Sequence, residues 1–300
     1  MEFPVRVRHC GDVDGERLFC DVGLARRIEH AEARFVAACS DATRARRGGT
    51  DGFSRSLAGG IACFAEADSP FNKVAGLGFG GVPDAGSLDE VEAAFAELGA
   101  PVQVELSYLA DSSLGAFFTE RGYRLESYEN VLGRRLGEPV AAAADVRRTR
   151  GDELERWLSE IADASAVADT EGLPSHEDFP RETLVNALRD MAGVRRYLAE
   201  RDGEFAGGAS FRITDGIAQL TGAATVPAHR RRGVQTALLR ARLAAATEAG
   251  CDVAVVTTQP GSKSQQNVQR QGFDLLYARA ILVKGTSATR SSGADSRQAS

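Results

Sequence analysis

Ala224-Thr225-Val226-Pro227-Ala228-His229-Arg230-Arg231-Arg232-Gly233-Val234-Gln235-Thr236-Ala237-Leu238-Leu239 is the stretch on which the fold turns. A β-rich segment leads through a basic, glycine-containing loop into an amphipathic run, so three arginines occupy a strand-to-helix turn. The first N–H groups of a helix lack intrahelical acceptors, and the helix dipole adds about half a positive charge there. Gly233 lets the backbone approach an oxygen without a Cβ in the way, and the arginines add forked, charged donors. Three arginines alone are a solvated charge run. Here an apolar helix face follows (Val234, Ala237, Leu238, Ala241, Ala245), in a chain whose formal net charge is −6. The turn therefore predicts a local pyrophosphate site.

Upstream of this turn, Asp152 to Ala168 repeats Leu154, Trp157, Leu158 and Ile161 at helical spacing, and Pro180 to Ala192 reads as a second helix. Strand-like runs follow at Arg195 to Arg201, Phe205 to Thr214 and Ile217 to Val226, separated by the hairpin signals Asp202-Gly203 and Asp215-Gly216. Downstream come a helix from Gly233 to Ala249, a buried-type strand at Asp252 to Thr258, a short helix near Ser264 to Gln271 and a last strand at Phe273 to Val283. The order is α, α, β, β, β, α, β, α, β.

The first half of the chain ends in a comparable way. Lys73 to Phe79 reads as strand, Leu88 to Leu98 as helix, Val102 to Tyr108 as strand, Ser113 to Arg121 as helix and Tyr123 to Leu132 as strand. Gly99 and Gly122 lie 23 residues apart and Gly250 and Gly272 lie 22 apart, each pair bracketing a strand and a helix. The match suggests that a whole domain is repeated. The Gly- and Pro-punctuated segment Gly137 to Ala144 marks the boundary, giving domains 1–138 and 139–285, with a disordered tail at 286–300.

Composition narrows the function. A length of 300 residues suits about two domains. With 43% apolar and 26% charged residues and no run near the ~20 apolar residues that span a bilayer, a membrane role is not expected. The opening Met1-Glu2-Phe3-Pro4-Val5-Arg6 does not read as a secretory signal, so a cytoplasmic location is expected. Five scattered cysteines without a C-x-x-C argue against a disulfide framework and a zinc site, and a pI near 5.4 argues against nucleic acid.

With these residues in view, Val226 to Leu239 resembles motif A of the GCN5-related N-acetyltransferases. That motif reads Gln or Arg, two residues, Gly, one residue, then Gly or Ala. Arg230 and Gly233 match, and Gln235 departs at the last position. The resemblance extends over about Val146 to Lys284, through Asn267, Gly272 and Phe273. It implies an α/β protein of two tandem domains, each a mixed, mostly antiparallel central sheet flanked by helices. It further implies acetyl-CoA as co-substrate, no metal, and cofactor contacts from Ala224, Thr225, Val226, Arg230, Arg231, Arg232, Gly233, Val234, Gln235, Thr236 and Asn267. Neither G-x-x-x-x-G-K-[ST] nor G-x-G-x-x-G after a strand is present. Gly76-Leu77-Gly78-Phe79-Gly80-Gly81 reads as a permissive turn. In the first half the corresponding loop contains Asp84 and is followed by Asp89, with no arginine. We read that half as degenerate, with one CoA per chain.

The resemblance implies direct attack of an amine on the thioester carbonyl. It also implies a splayed strand before the loop, whose free amides face the acetyl oxygen, here with Gly222-Ala223-Ala224 as the expected irregularity. The tyrosine that commonly serves as general acid is replaced by Val268, leaving Tyr277 as the candidate. Ser264 and Asn267 match the motif-B helix in place. Glu171 is the candidate base, with His176 in the same loop, and His229 reads as an exposed loop residue. The expected acceptor is a small-molecule primary amine. The alternatives are a protein or peptide N-acetyltransferase and a non-catalytic acyl-CoA sensor.

Overall fold

A computed structural model describes residues 17–49, 52–138, 141, 143, 145–167 and 179–285. The tail at 286–300, expected to be disordered, lies outside the described residues. The chain opens with a long helix, α1 (Val22–Arg46), whose first turn is closed by Asp21: its carboxylate accepts from the Leu24 N–H at 2.8 Å. Ala25, Ile28, Ala31, Phe35, Val36 and Cys39 recur at three- and four-residue steps and form its buried stripe. Glu29 lies on the same stripe and is buried with it.

There follow β1 (Phe53–Leu57), β2 (Gly60–Phe64), β3 (Lys73–Ala75), α2 (Ala85–Glu97), β4 (Val102–Ser107), α3 (Leu114–Glu120) and β5 (Arg124–Arg135). The second half contains β6 (Val146–Arg148), α4 (Leu154–Ala166), α5 (Arg181–Asp190), β7 (Arg195–Arg201), β8 (Glu204–Thr214), β9 (Ile217–Thr225), α6 (Val234–Glu248), β10 (Val253–Thr258), α7 (Lys263–Gln269) and β11 (Asp274–Lys284). From β1 and from β7 the order is the same: three strands, helix, strand, helix, strand. Gly99, Gly122, Gly250 and Gly272 all have φ between +66° and +84°, just past the ends of α2, α3, α6 and α7. Their matched spacing in sequence, 23 and 22 residues, is thus the spacing of left-handed helix terminators. The first strand-like run is shorter than the sequence suggests. After Ala75, Gly76 turns the chain at φ +71°, and a Cβ there would come within 2.9 Å of the Glu29 carbonyl oxygen.

Both halves contribute to one mixed, mostly antiparallel sheet flanked by helices, in the order β1-β2-β3-β4-β11-β5-β10-β9-β8-β7-β6. The parallel pairs are β3 with β4 and β9 with β10, each bridged by a helix. The two final strands are exchanged. β5, which ends the first half, pairs with β10 (Val253↔Arg135 to Thr258↔Asn130), and β11 lies between β4 and β5. The halves therefore share backbone hydrogen bonds as well as side-chain packing. One core cluster contains Phe211, Leu238, Leu239 and Leu243 of the second half, and another contains Val74, Leu88, Phe95 and Phe118 of the first. A third joins Ala25, Ile28 and Val131 to Ile217, Val253 and Tyr277 across the two. No helix among the described residues is long and apolar enough to cross a membrane.

Candidate active site

The site begins where two parallel strands part. β9 and β10 are paired from Ile217↔Val253 to Leu220↔Val256, and beyond Leu220 that ladder stops. On its other side β9 slips register against β8 between Ser210↔Thr221 and Gly208↔Ala224, with Gly222 at φ +46°. The expected irregularity thus falls at Gly222 and Ala223. Gly208 is held to glycine by packing, since a Cβ there would lie 2.5 Å from Trp157 Nε1, which donates to the Tyr197 carbonyl at 2.8 Å. A groove of about 740 Å³ opens into the splay, between β9, the start of α6 and α7.

At the floor of this groove the start of α6 is open. Gly233 is its N-cap, in the left-handed region (φ 76°, ψ 5°), and no side chain caps the helix. The first internal helix bond is from Ala237 N to Gly233 O at 2.9 Å, so the amides of Val234, Gln235 and Thr236 precede the hydrogen-bonded ladder. A Cβ on Gly233 would meet nothing within 4 Å, so the space before it is unfilled. Arg231 is also left-handed, at φ 61°, a conformation that non-glycine residues adopt at some energetic cost. The matching helix start in the first half is closed. Asp84 caps α2, accepting from the Ser87 N–H at 2.9 Å and the Ser87 hydroxyl at 2.6 Å.

The three arginines divide their work. Arg230 lines the groove but directs its Nη2 to the carbonyls of Ala164 (3.1 Å) and Val167 (2.6 Å), at the end of α4 where a helix dipole favours a cation. It ties α4 to the loop. Arg231 lines the groove, whereas Arg232 is exposed and does not. His229, expected to be exposed, is buried on the groove wall because the turn Pro227–His229 folds it inward. Its Nδ1 has no hydrogen-bond partner and its Nε2 stands 3.6 Å from Glu204. Lys263 of α7 and Arg270 just past its end also line the groove, and among the described residues no carboxylate does. In a chain of net negative charge, the described lining is locally basic.

The remaining expected residues separate. Ala224, Thr225, Val234, Gln235, Thr236 and Asn267 line the groove together, and Asn267 Nδ2 donates to Gln235 Oε1 at 2.5 Å, joining α7 to α6. Val226 instead packs beside Trp157 and Phe205 in the core. Tyr277 is buried against α1, its hydroxyl donating to Glu29 Oε1 at 2.7 Å, and lines neither this groove nor the cavity beyond it. Burial and the neighbouring Glu29 carboxylate raise its phenol well above the ordinary range. Glu171 and His176 lie outside the described residues.

A second compartment of about 310 Å³, absent from the sequence reading, adjoins the groove, and Ala223, Gln235 and Ser264 line both spaces. Glu32 and Phe35 of α1, Arg242 of α6 and Arg279 of β11 form part of its wall. The signals were a charged residue on the face of an apolar stripe (Arg242 beside Leu238 and Leu239) and the unread α1 periodicity.

Residues 154–273 match the family model described as acetyltransferase (GNAT) family. Among solved structures, a GCN5-related N-acetyltransferase from Kribbella flavida matches with TM-score 0.58 at 20% identity, over 84% of this chain and 95% of that one. A tandem GNAT protein from the clavulanic acid biosynthesis pathway matches with TM-score 0.52 at 12% identity, over 85% of this chain and 96% of that one. At these identities the likeness is one of fold. Comparison with the curated proteins finds no match.

Proposed function

We propose, from the premise that residues 154–273 are an acyltransferase domain of the acetyltransferase (GNAT) family, that the chain moves an acetyl group from acetyl-CoA to the primary amine of a small molecule. The observation on which this rests is the uncapped start of α6, set in a groove whose described lining includes His229, Arg230, Arg231, Lys263 and Arg270. Pyrophosphate needs such a place: free amides, a favourable dipole end and fixed positive charge. The amides of Val234, Gln235 and Thr236 would hold its oxygens, and the unpaired Nδ1 of His229 offers one more polar contact. The groove suits an elongated guest, with Ala223 and Ala224 small enough to admit a pantetheine arm beside β9.

When bound, acetyl-CoA supplies the activated thioester. The residues around the neck at Ala223, Gln235 and Ser264 orient it toward the second compartment, and the unpaired edge of β9 beyond Leu220 offers backbone donors to a developing oxyanion. Helix α1 walls that compartment, which favours a compact acceptor over a polypeptide threading through. Residues 1–138 are read as a domain without a cofactor site of its own, because Asp84 already occupies the helix start that would face pyrophosphate.

Isothermal titration with CoA and thiol release from acetyl-CoA on a panel of primary amines test this reading. One CoA per chain and amine-dependent release are expected. Two sites per chain would remove the assignment of the first half. Tight CoA binding without release on any amine would make the chain an acyl-CoA sensor.

A further inference from the structure

Arg242 sits in the third turn of α6 and is fully buried, yet none of its partners is a carboxylate. Its Nε donates to the Leu238 carbonyl at 3.2 Å, and its Nη1 donates to the carbonyls of Ser210 (3.0 Å) and Thr221 (3.5 Å). Those two carbonyls belong to the residue pair Ser210↔Thr221 on one side of the register slip between β8 and β9, so Nη1 is held next to the irregularity at Gly222 and Ala223. Nη2 makes no hydrogen bond to a described residue, and Arg242 lines the second compartment. Burial lowers its pKa to about 10, which leaves it cationic at neutral pH. The other cation in that wall, Arg279, is already neutralised by Glu29 at 2.7 Å, with Glu105 and Glu129 each at 3.6 Å.

A buried guanidinium held by backbone carbonyls, with no counter-ion among the described residues and lining an internal space, is complementary to an anion that enters that space. The compartment adjoins the groove at Ala223, Gln235 and Ser264, which line both spaces, so an occupant would lie next to the proposed donor. Among the described residues its one lining carboxylate is Glu32, which accepts from Gln219 Nε2 at 3.1 Å.

We propose that the second compartment is a carboxylate-binding site anchored by Arg242, so that one reactant brings a carboxylate to it. This rests on the acyltransfer reading above. Two sources share that chemistry: an amino-acid-like acceptor whose amine reacts while its carboxylate pairs with Arg242, and an acyl chain ending in a carboxylate. In either case the amine nitrogen forms a bond to the acyl carbon and the carbon–sulfur bond breaks. One proton leaves the nitrogen for the departing thiolate, giving amide and free CoA thiol.

Wild-type protein and Arg242→Met are assayed by thiol release in two arms. In the first, acetyl-CoA is paired with each of the common amino acids and with the corresponding amino-acid amides, which keep the amine and lose the carboxylate. In the second, succinyl-CoA is compared with acetyl-CoA, by release on the same amines and by titration. A preference of thirtyfold or more in kcat/KM for acid over amide assigns the carboxylate to the acceptor. Succinyl-CoA binding at least tenfold tighter than acetyl-CoA assigns it to the acyl group. Because Arg242 also holds backbone carbonyls, the wild-type comparisons decide by themselves. In a folded Arg242→Met variant with CoA affinity within twofold, the preference is expected to collapse below threefold. If CoA binds and neither arm shows a preference, the carboxylate site is wrong while the groove stands. If CoA does not bind, the groove reading fails and this proposal falls with it.

Discussion

Arg279 on the last strand donates its Nε to Glu29 Oε1 on the first helix at 2.7 Å, across 250 residues of sequence, and both side chains are almost completely buried. Tyr277 donates to the same oxygen, and Glu105 beneath is paired with Lys73 of β3. The pair therefore locks the exchanged strand β11 to the first half of the chain at the point where the sheet is continuous. Removing one member of a buried pair leaves an uncompensated charge, a loss of roughly 3–5 kcal/mol. Arg279→Met is expected to be destabilised by about that amount in urea unfolding. A midpoint unchanged from wild type would show that the strand exchange does not depend on this pair.

Glu32 is expected to behave in the opposite way. Burial raises its carboxyl above the ordinary range. Arg279 and Lys73 pull it down, and Glu105 and Glu29 push it up, while Arg212 of β8 is a further nearby cation. The folded chain thus keeps this proton to a higher pH than the unfolded chain, whose carboxyl titrates near about 4.3. In the window above that value the native state binds more protons, so stability falls as pH rises. Glu32→Gln removes the ionisation. Its melting temperature should exceed that of wild type at pH 8, and the gain should vanish near pH 4. A gain of equal size at both pH values would indicate a packing effect instead.

The contrast between those residues and the α6 loop shows what a sequence displays. The loop is local: strand, basic turn, Gly233 and apolar stripe lie within sixteen residues, and each acts through its neighbours. The repeat was legible for the same reason, since Gly99, Gly122, Gly250 and Gly272 mark helix ends. The exchange of β5 and β11 was not, because alternation fixes which face a strand buries and says nothing of which strand lies beside it. β6 has only three residues, too few for a period to register. Glu32 meets Gln219 across 187 residues, and Arg242 is held by carbonyls 21 and 32 residues away on two other strands, so neither setting is written in its local sequence. His229 looked like an exposed loop residue because the inward fold of Pro227–His229 is a matter of tertiary packing.

Charge in the donor groove should show itself in salt dependence. Among the described residues, His229, Arg230, Arg231, Lys263 and Arg270 line it without a carboxylate, while ions screen exposed charges over about 8 Å at physiological ionic strength. Raising sodium chloride from low to several hundred millimolar should increase the KM for acetyl-CoA several-fold and leave kcat nearly unchanged. An equal fall in kcat, or an unmoved KM, would mean that the basic lining does not meet the donor.

Gly233 and Arg232 make the sharpest pair of substitutions, because they are neighbours with different expected roles. At φ +76° a side chain on residue 233 strains the backbone by roughly 1–2 kcal/mol. No atom of a described residue lies within 4 Å of the Cβ position, so a clash with the described fold is not the obstacle. Whatever a side chain blocks there is the guest. Gly233→Val should therefore lower CoA affinity by tenfold or more in calorimetric titration, with a modest drop in melting temperature. Arg232→Ala, exposed and away from the groove wall, should stay within twofold of wild type in both measurements. If the valine variant bound CoA normally, the open start of α6 could not be where the pyrophosphate rests. If Arg232→Ala lost as much affinity as Gly233→Val, the run of arginines would act as a diffuse charge instead of a shaped cradle.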